Sequence, residues 1–198
     1  MRLDASFCPD PVNGLAVYRT ASSAFAAVAG AVGADDWARP SACLGWSALD
    51  VVGHVVCVVR WHHAWLERSE AEEGSPPFPV SELAERNAAA LGALQIATGP
   101  ERVATFVELT SAYAGRISGR WDIAYGYPPG TVPAGLHAVL AAGEWHLHAW
   151  DIATALGREH HPDAELIRAT WLALGRPVSA EGDAFDALLA TSGRRAAT

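Results

Sequence analysis

The sequence of 198 residues contains no lysine, and all 14 of its basic residues are arginine. Schiff-base catalysis, the attachment of pyridoxal phosphate and the Walker-type phosphate loop each need a lysine side chain, so the sequence excludes all three. Cysteine is also scarce. The three cysteines are odd in number and have no CxxC spacing, a pattern that fits a reducing compartment better than a disulfide framework.

The chain also lacks a net positive charge and long hydrophobic runs. The formal net charge of −8 argues against a nucleic-acid-binding face, which needs clustered basic residues. No run reaches the roughly 18 apolar residues that a membrane-spanning helix requires, and residues 1–4 do not open a secretory signal. We therefore expect a cytoplasmic protein whose partner is a small molecule, with no nucleic-acid or membrane partner.

The composition that is present is that of a folded globular chain. Hydrophobic residues make up 51% of the sequence and charged residues 18%, which is typical of a protein with a substantial core. The length is in the range of one domain, and no repeat or long linker divides it. We expect residues 1–198 to form a single helical domain.

Apolar residues recur at helical rather than alternating spacing through most of the chain, which predicts an all-α fold. Ser47 followed by Asp50 has the spacing of a capping box, so the second helix is expected to start at Ala48. Residues 121–133 are irregular, with room for a short β-like excursion. The predicted helices cover about residues 12–32, 48–68, 81–97, 101–117 and 134–156, with short helices near 163–174 and 183–191.

One group of side chains has the composition of a metal site. Glu144 and His148 are four residues apart on one predicted helix, so they project from the same face. His54 lies on a separate, mostly apolar helix, where a polar side chain needs a partner. Two imidazoles and one carboxylate are a ligand set for Zn²⁺ that leaves a coordination position open. The spacing alone also allows a surface Glu–His contact and a histidine paired within the core.

Two separated motifs carry a resemblance to a known family. Residues 40–54 read PSACLGWSALDVVGH, and residues 144–153 read EWHLHAWDIA. Both resemble the DinB-like, mycothiol-dependent maleylpyruvate isomerase N-terminal domain family, and residues 186–194, DALLATSGR, are similar to the close of its single-domain members. The resemblance covers most of the chain.

The resemblance implies a DinB-like four-helix bundle, with short additional helices, that holds a metal ion through His54, Glu144 and His148. Zinc is the expected ion, with nickel, iron and manganese as alternatives. It also implies a thiol cosubstrate of the mycothiol type and an isomerase or S-transferase activity on a small metabolite. Two other functions stay open: a thiol-independent metal-dependent lyase, cyclase or isomerase of a specialised biosynthetic pathway, and a non-catalytic metal-binding module. Related bundles often pair, so a homodimer is an alternative to a monomer.

Several side chains near the motifs have more than one interpretation. Asp151 either orients the His148 imidazole or holds the bundle together through a hydrogen bond. Cys57 either edges the metal pocket or packs in the core. His137 lies seven residues before Glu144, about 10 Å along the helix axis, so it cannot bind the same ion. One interpretation is that it lines the pocket. Two histidine pairs are expected to face solvent near helix ends, His62–His63 and His160–His161.

Overall fold

The computed structural model describes residues 10–71, 74–174 and 183–194, and about two thirds of these residues are helical. The predicted all-α bundle with short additional helices is confirmed, and residues 121–133 contain the short β excursion. The helices are α1 (Pro11–Gly30), α2 (Ala48–Ala71), α3 (Leu83–Gly92), α4 (Gly99–Ile117), α5 (Ala134–Ala155), α6 (Ala164–Ala173) and α7 (Ala184–Thr191). A 3-10 turn (Val80–Glu82) precedes α3, and β1 (Ala124–Tyr127) and β2 (Gly130–Pro133) form the excursion.

Side-chain caps explain where the bundle helices begin. The Ser47 hydroxyl accepts a hydrogen bond from the Asp50 backbone N–H at 3.2 Å, and the Asp50 carboxylate accepts one from the Ser47 N–H at 3.0 Å. This reciprocal pair is the predicted capping box, and it confirms the start of α2. Thr98 and Glu101 form the same arrangement at the start of α4.

The third predicted helix is shorter than the sequence pattern indicates. It ends at Gly92 instead of continuing to residue 97. Glycine ends helices readily. Thr98 is the N-cap of α4, so α3 has to end before it. The buried Arg102 guanidinium also draws the connecting chain inward, because its Nε donates to the Ile96 carbonyl at 2.8 Å.

Helices α1, α5, α2 and α4 form a four-membered ring in which each helix packs against the two beside it. Their inner faces bury large side chains, among them Tyr18, Phe25, Phe106 and Trp145. Helix α5 is apolar nearly all round because α1, α2 and α6 cover its different sides. No helix within the described ranges has both the length and the apolarity that crossing a membrane demands.

The β1–β2 hairpin closes one end of the bundle against α2. Its strands are antiparallel, with Tyr125 opposite Val132. The Gly126 N–H donates to the Ser69 hydroxyl of α2 at 2.9 Å. A Cβ at position 126 would overlap the carbonyl oxygens of Gly74 and Ser75, so only glycine permits this close approach. The docking sets Tyr127 at the edge of the internal cavity.

We expect Gly126→Ala to lower the free energy of unfolding by about 1–3 kcal/mol, because the added methyl group meets rigid backbone rather than a movable side chain. Gly115→Ala is the matched control, since position 115 lies in α4 with open space around its Cβ. That change is expected to raise stability by up to about 1 kcal/mol. Urea denaturation measures both, and equal effects of the two changes would contradict the close packing of the hairpin.

Candidate metal centre

Helices α2 and α5 bring the three predicted ligands to one end of an internal cavity. His54 is on α2 and His148 is on α5, and their ring centroids are 5.1 Å apart. Glu144 is one helical turn before His148, with its Oε2 3.9 Å from His148 Nε2. All three line the same cavity. The structure therefore brings one side chain of α2 and two of α5 to the same end of the cavity.

His148 is held by a buried carboxylate. Its Nδ1 donates to Asp151 Oδ2 at 3.0 Å, so in the neutral ring Nε2 carries the free lone pair on the side of Glu144. Asp151 is fully buried, and both of its oxygens also accept from Arg194, at 2.7 Å each. Burial alone would raise the pKa of Asp151, but the hydrogen bonds from His148 and Arg194 outweigh it and hold that pKa below its usual value.

His54 stays uncharged at neutral pH. Burial lowers its pKa to about 3, with a further contribution from the neighbouring His148. The Trp46 ring packs against the imidazole with centroids 4.7 Å apart. Among the described residues, no group accepts from or donates to the buried Nδ1 of His54. A neutral imidazole with an unused nitrogen is the form that binds metal ions.

The residues fit a divalent metal in chemistry, although the side chains do not stand in a closed ligand set. Within the described ranges, no three His, Cys, Asp or Glu side chains converge closely enough to hold an ion as they stand. The Glu144 side chain is 60% exposed, whereas His148 is 6% exposed. Two imidazoles, one of them oriented by a carboxylate, and one solvent-exposed carboxylate nevertheless match the donors and the outer hydrogen bond of a His₂Glu site.

The cavity beside these residues has a volume of about 330 Å³. Its α2 wall carries His54, Val58, Trp61, His62 and Trp65, a spacing that puts one stripe of the helix inward. Its α5 wall repeats the pattern. The α5 residues that line it are His137, Leu140, Ala141, Gly143, Glu144, Trp145, Leu147 and His148. A volume of this size suits a small-molecule ligand.

The structure decides between the alternative interpretations of three residues. Asp151 orients His148 and also joins two parts of the fold through Arg194. Cys57 is only 4% exposed, which agrees with the core interpretation. His137 lines the cavity and is 4% exposed, so the pocket interpretation holds for it.

The pairs His62–His63 and His160–His161 were expected to face solvent, and that prediction is wrong for three of the four residues. His62 is 3% exposed, because α2 continues to Ala71 and residue 62 is in mid-helix facing the bundle. His63 is half-buried, with its Nε2 2.9 Å from the Leu109 carbonyl. His160 is half-buried and stacks on His146. His161 does face solvent.

Sequence reasoning missed two contributors to the centre, Arg194 and Trp46. Arg194 follows α7 and reaches Asp151 across 43 positions of the chain, a pairing that no local pattern reveals. Trp46 belongs to the loop before α2 and reaches His54 because Ala42 of that loop donates its N–H to the Asp151 carbonyl at 3.3 Å. The signals in the sequence were weak, since Trp46 lies in the motif of residues 40–54 and Arg194 ends the tail motif of residues 186–194.

Comparison with known proteins gives a family for most of the chain. The family model described as the mycothiol maleylpyruvate isomerase N-terminal domain matches residues 18–153. Two curated proteins of Mycobacterium tuberculosis are each 30% identical to this chain over 159 residues, which is 78% of this chain and 74% of theirs. They are "Uncharacterized protein MT0763" of strain CDC 1551 / Oshkosh and "Uncharacterized protein Rv0738" of strain ATCC 25618 / H37Rv.

Two crystal structures share the fold. One, of the mycothiol-dependent maleylpyruvate isomerase, matches with a TM-score of 0.59 and 17% identity over 73% of this chain. The match spans 61% of that structure's chain, less than two thirds. The other, of a histidine-to-alanine mutant of the mycothiol-dependent maleylpyruvate isomerase, has a TM-score of 0.69 and 16% identity over 94% of this chain and 90% of its own. At such identities the likeness shows the fold alone.

We expect Asp151→Asn to destabilise the protein by about 3 kcal/mol, because it leaves the largely buried Arg194 cation without a counter-charge. The comparison is Glu165→Gln, which removes the exposed ion pair with Arg168 and is expected to cost less than about 1 kcal/mol. Urea denaturation in the presence of a chelator measures both without a contribution from metal binding. Similar losses for the two changes would show that the Asp151–Arg194 pair does not stabilise this end of the bundle.

Proposed function

The chain belongs to the mycothiol maleylpyruvate isomerase N-terminal domain family, and from this we propose a metal-dependent enzyme in which His54, Glu144 and His148 hold one divalent ion. Zinc is the first candidate for the ion. The observation that carries the proposal is the hydrogen bond from His148 Nδ1 to Asp151, which leaves Nε2 free beside Glu144, with the neutral His54 ring 5.1 Å away. Structural zinc sites usually fill four positions with protein ligands, whereas three ligands leave one for a substrate.

When bound, such an ion supplies positive charge that lowers the pKa of a thiol, so that the nucleophilic thiolate forms at neutral pH. The chain's own residues set the conditions for this chemistry. Asp151 and Arg194 hold His148 in one orientation. Trp46 packs against His54 and keeps its ring in place. Glu144 keeps its carboxylate beside His148 Nε2 and 60% exposed, so the carboxylate has room to turn towards an ion.

The reaction class we propose is thiol-dependent isomerisation or S-transfer on a small metabolite, with a thiol of the mycothiol type. Two observations support it. The two crystal structures that share this fold are of a mycothiol-dependent maleylpyruvate isomerase. The cavity of about 330 Å³ has aromatic walls from Trp61 and Trp145, which exclude water from a bound thiol and substrate.

We expect the purified protein to carry close to one equivalent of zinc, and Glu144→Gln and His148→Ala to lose most of it. His146→Ala is the matched control, because His146 is a buried histidine of α5 that stacks on His160 and not on His54. That variant is expected to keep its metal. Elemental analysis by mass spectrometry, with circular dichroism to show that each variant is folded, makes the measurement. A folded wild type that is metal-free and does not take up added Zn²⁺ would contradict the proposal.

We also expect turnover to depend on the thiol. Zinc-loaded protein is mixed with an electrophilic substrate such as maleylpyruvate, with and without mycothiol, and substrate loss is followed by absorbance. The rate should rise with mycothiol, and Glu144→Gln should reduce the thiol-dependent rate by roughly 100-fold or more. Turnover of a small metabolite that is indifferent to mycothiol would favour the thiol-independent lyase, cyclase or isomerase instead. A metal-loaded protein inert towards every substrate tried would favour a non-catalytic metal-binding module.

A further inference from the structure

The end of the cavity away from His54 and His148 contains a second pair of histidines. His62 of α2 and His137 of α5 both line the cavity, and they are 3% and 4% exposed. Their ring centroids are 4.6 Å apart and their planes are nearly perpendicular, at 87°. We call these two residues the imidazole pair. Neither residue belongs to the proposed ligand set or has a part in the chemistry described above.

The imidazole pair has hydrogen-bonding capacity that the protein does not use. Within the described ranges, the buried Nδ1 of His62 and that of His137 have no hydrogen-bond partner. The same is true of the buried Oδ1 of Asn87, another residue of the cavity wall. Buried polar atoms are nearly always paired, and an unpaired one costs about 1–3 kcal/mol. The three residues all line one cavity, so their unused hydrogen-bonding atoms lie beside a space that a ligand can fill.

The surroundings of the pair select the charge of that ligand. The rings that contact the pair are those of Trp65, Tyr113, Tyr125, Tyr127 and Trp145. Among the described residues that line the cavity, Glu144 at the other end is the only acidic or arginine side chain, so the wall offers a carboxylate no cation. A carboxylate placed here would lose its hydration without gaining a counter-charge, which is costly. Burial also lowers the pKa of His137 to about 3 and that of His62 well below its usual value, so both rings are neutral.

A neutral imidazole offers one donor and one acceptor. An alcohol or a primary amide also offers both, so either one can complete the hydrogen bonds of two such rings, whereas a carboxylate can only accept. The wall between the pair and the proposed metal ligands is apolar, with Val58, Trp61 and Leu140 along it.

The distance between the two ends of the cavity limits the ligand's length. His54 and His62 are eight residues apart on α2, which is about 12 Å along the axis. Glu144 and His137 are seven residues apart on α5, about 10 Å. A single ligand that touches both ends is therefore elongated, with an apolar middle and an uncharged polar group roughly 10 Å from its reacting end.

We propose that His62 and His137 form a subsite that binds an uncharged hydroxyl or carboxamide group of an elongated small-molecule ligand and rejects a carboxylate at the same position. The subsite rests on the proposed function only in that His54, Glu144 and His148 mark the reacting end of the ligand. The pair itself binds the group whether or not the reaction is thiol-dependent.

Benzamide and benzoate test the subsite, because they have nearly the same shape and differ in charge and in the N–H donor. The full-length protein, labelled with ¹⁵N-histidine, is titrated with each probe, and binding is read at the assigned ring resonances of His62 and His137. Because binding is read at the rings of His62 and His137, benzoate bound to a metal ion at the other end of the cavity is not counted. Benzamide is expected to bind at least tenfold more tightly than benzoate. Equal or tighter binding of benzoate at these two rings would overturn the proposal.

Variants test whether the imidazole nitrogens do the binding. His137→Phe keeps a flat ring without nitrogen and should weaken benzamide at least tenfold, whereas His137→Gln restores a donor and an acceptor and should bind within about threefold of the wild type. His161→Gln, at an exposed histidine, is the control and should change nothing. Unchanged affinity in a folded His137→Phe would overturn the proposal. If that variant does not fold, the wild-type comparison of the two probes still decides.

Zinc content measured on the same samples separates the subsite from the proposed function. His54→Ala is expected to lose zinc and still bind benzamide at the imidazole pair. A protein with zinc but no preference for benzamide overturns the subsite alone, and a metal-free protein with that preference overturns the proposed metal function alone. Two equivalents of zinc in the wild type that fall to one in His62→Phe would show a second metal site at the pair, and would also overturn the subsite.

Discussion

The candidate centre depends on one buried carboxylate, that of Asp151. A fully buried carboxylate is stable as an anion only if hydrogen bonds replace its lost water, and here Arg194 and His148 provide them. Asp151 thereby ties α5 to the segment after α7, and its backbone carbonyl holds the loop before α2 through the N–H of Ala42. Three separated parts of the chain meet at this residue. The orientation of His148 and the position of Trp46 over His54 both follow from that junction.

The second constraint is the apolar character of α2 and α5. Each helix turns a largely apolar, buried face towards the bundle, where a histidine finds few polar partners. Four histidines, His54, His62, His137 and His148, line the same space. Only His148 among them has a carboxylate partner. The cavity is consequently polar at its two ends and aromatic between them.

The helix starts and the convergence of Glu144 with His148 were predictable from sequence because both depend on local spacing. The capping box of Ser47 and Asp50 and the four-residue step from Glu144 to His148 are read directly from neighbouring positions. His62 is eight residues after His54, so helical periodicity puts both on one stripe of α2 and would have predicted the burial of His62. That this stripe faces α5 across a cavity depends on tertiary packing and was not predictable. Arg194 was beyond local reasoning, since its partner is fixed only by tertiary packing.

The two ends of the cavity differ in charge, and this difference limits how a ligand can bind. His54 is neutral and Asp151 is compensated by Arg194, so Glu144 supplies the remaining negative charge at the first end. With a divalent ion held there, that end would carry one net positive charge and would attract one anion, such as a thiolate or an enolate. The other end is buried, and the described residues that line it include no arginine to balance an anion. A ligand that fits both ends therefore carries its negative charge at the reacting end alone. The same asymmetry fixes its direction in the cavity, because reversal would bury the charge against His62 and His137 and leave the cation at the other end unpaired.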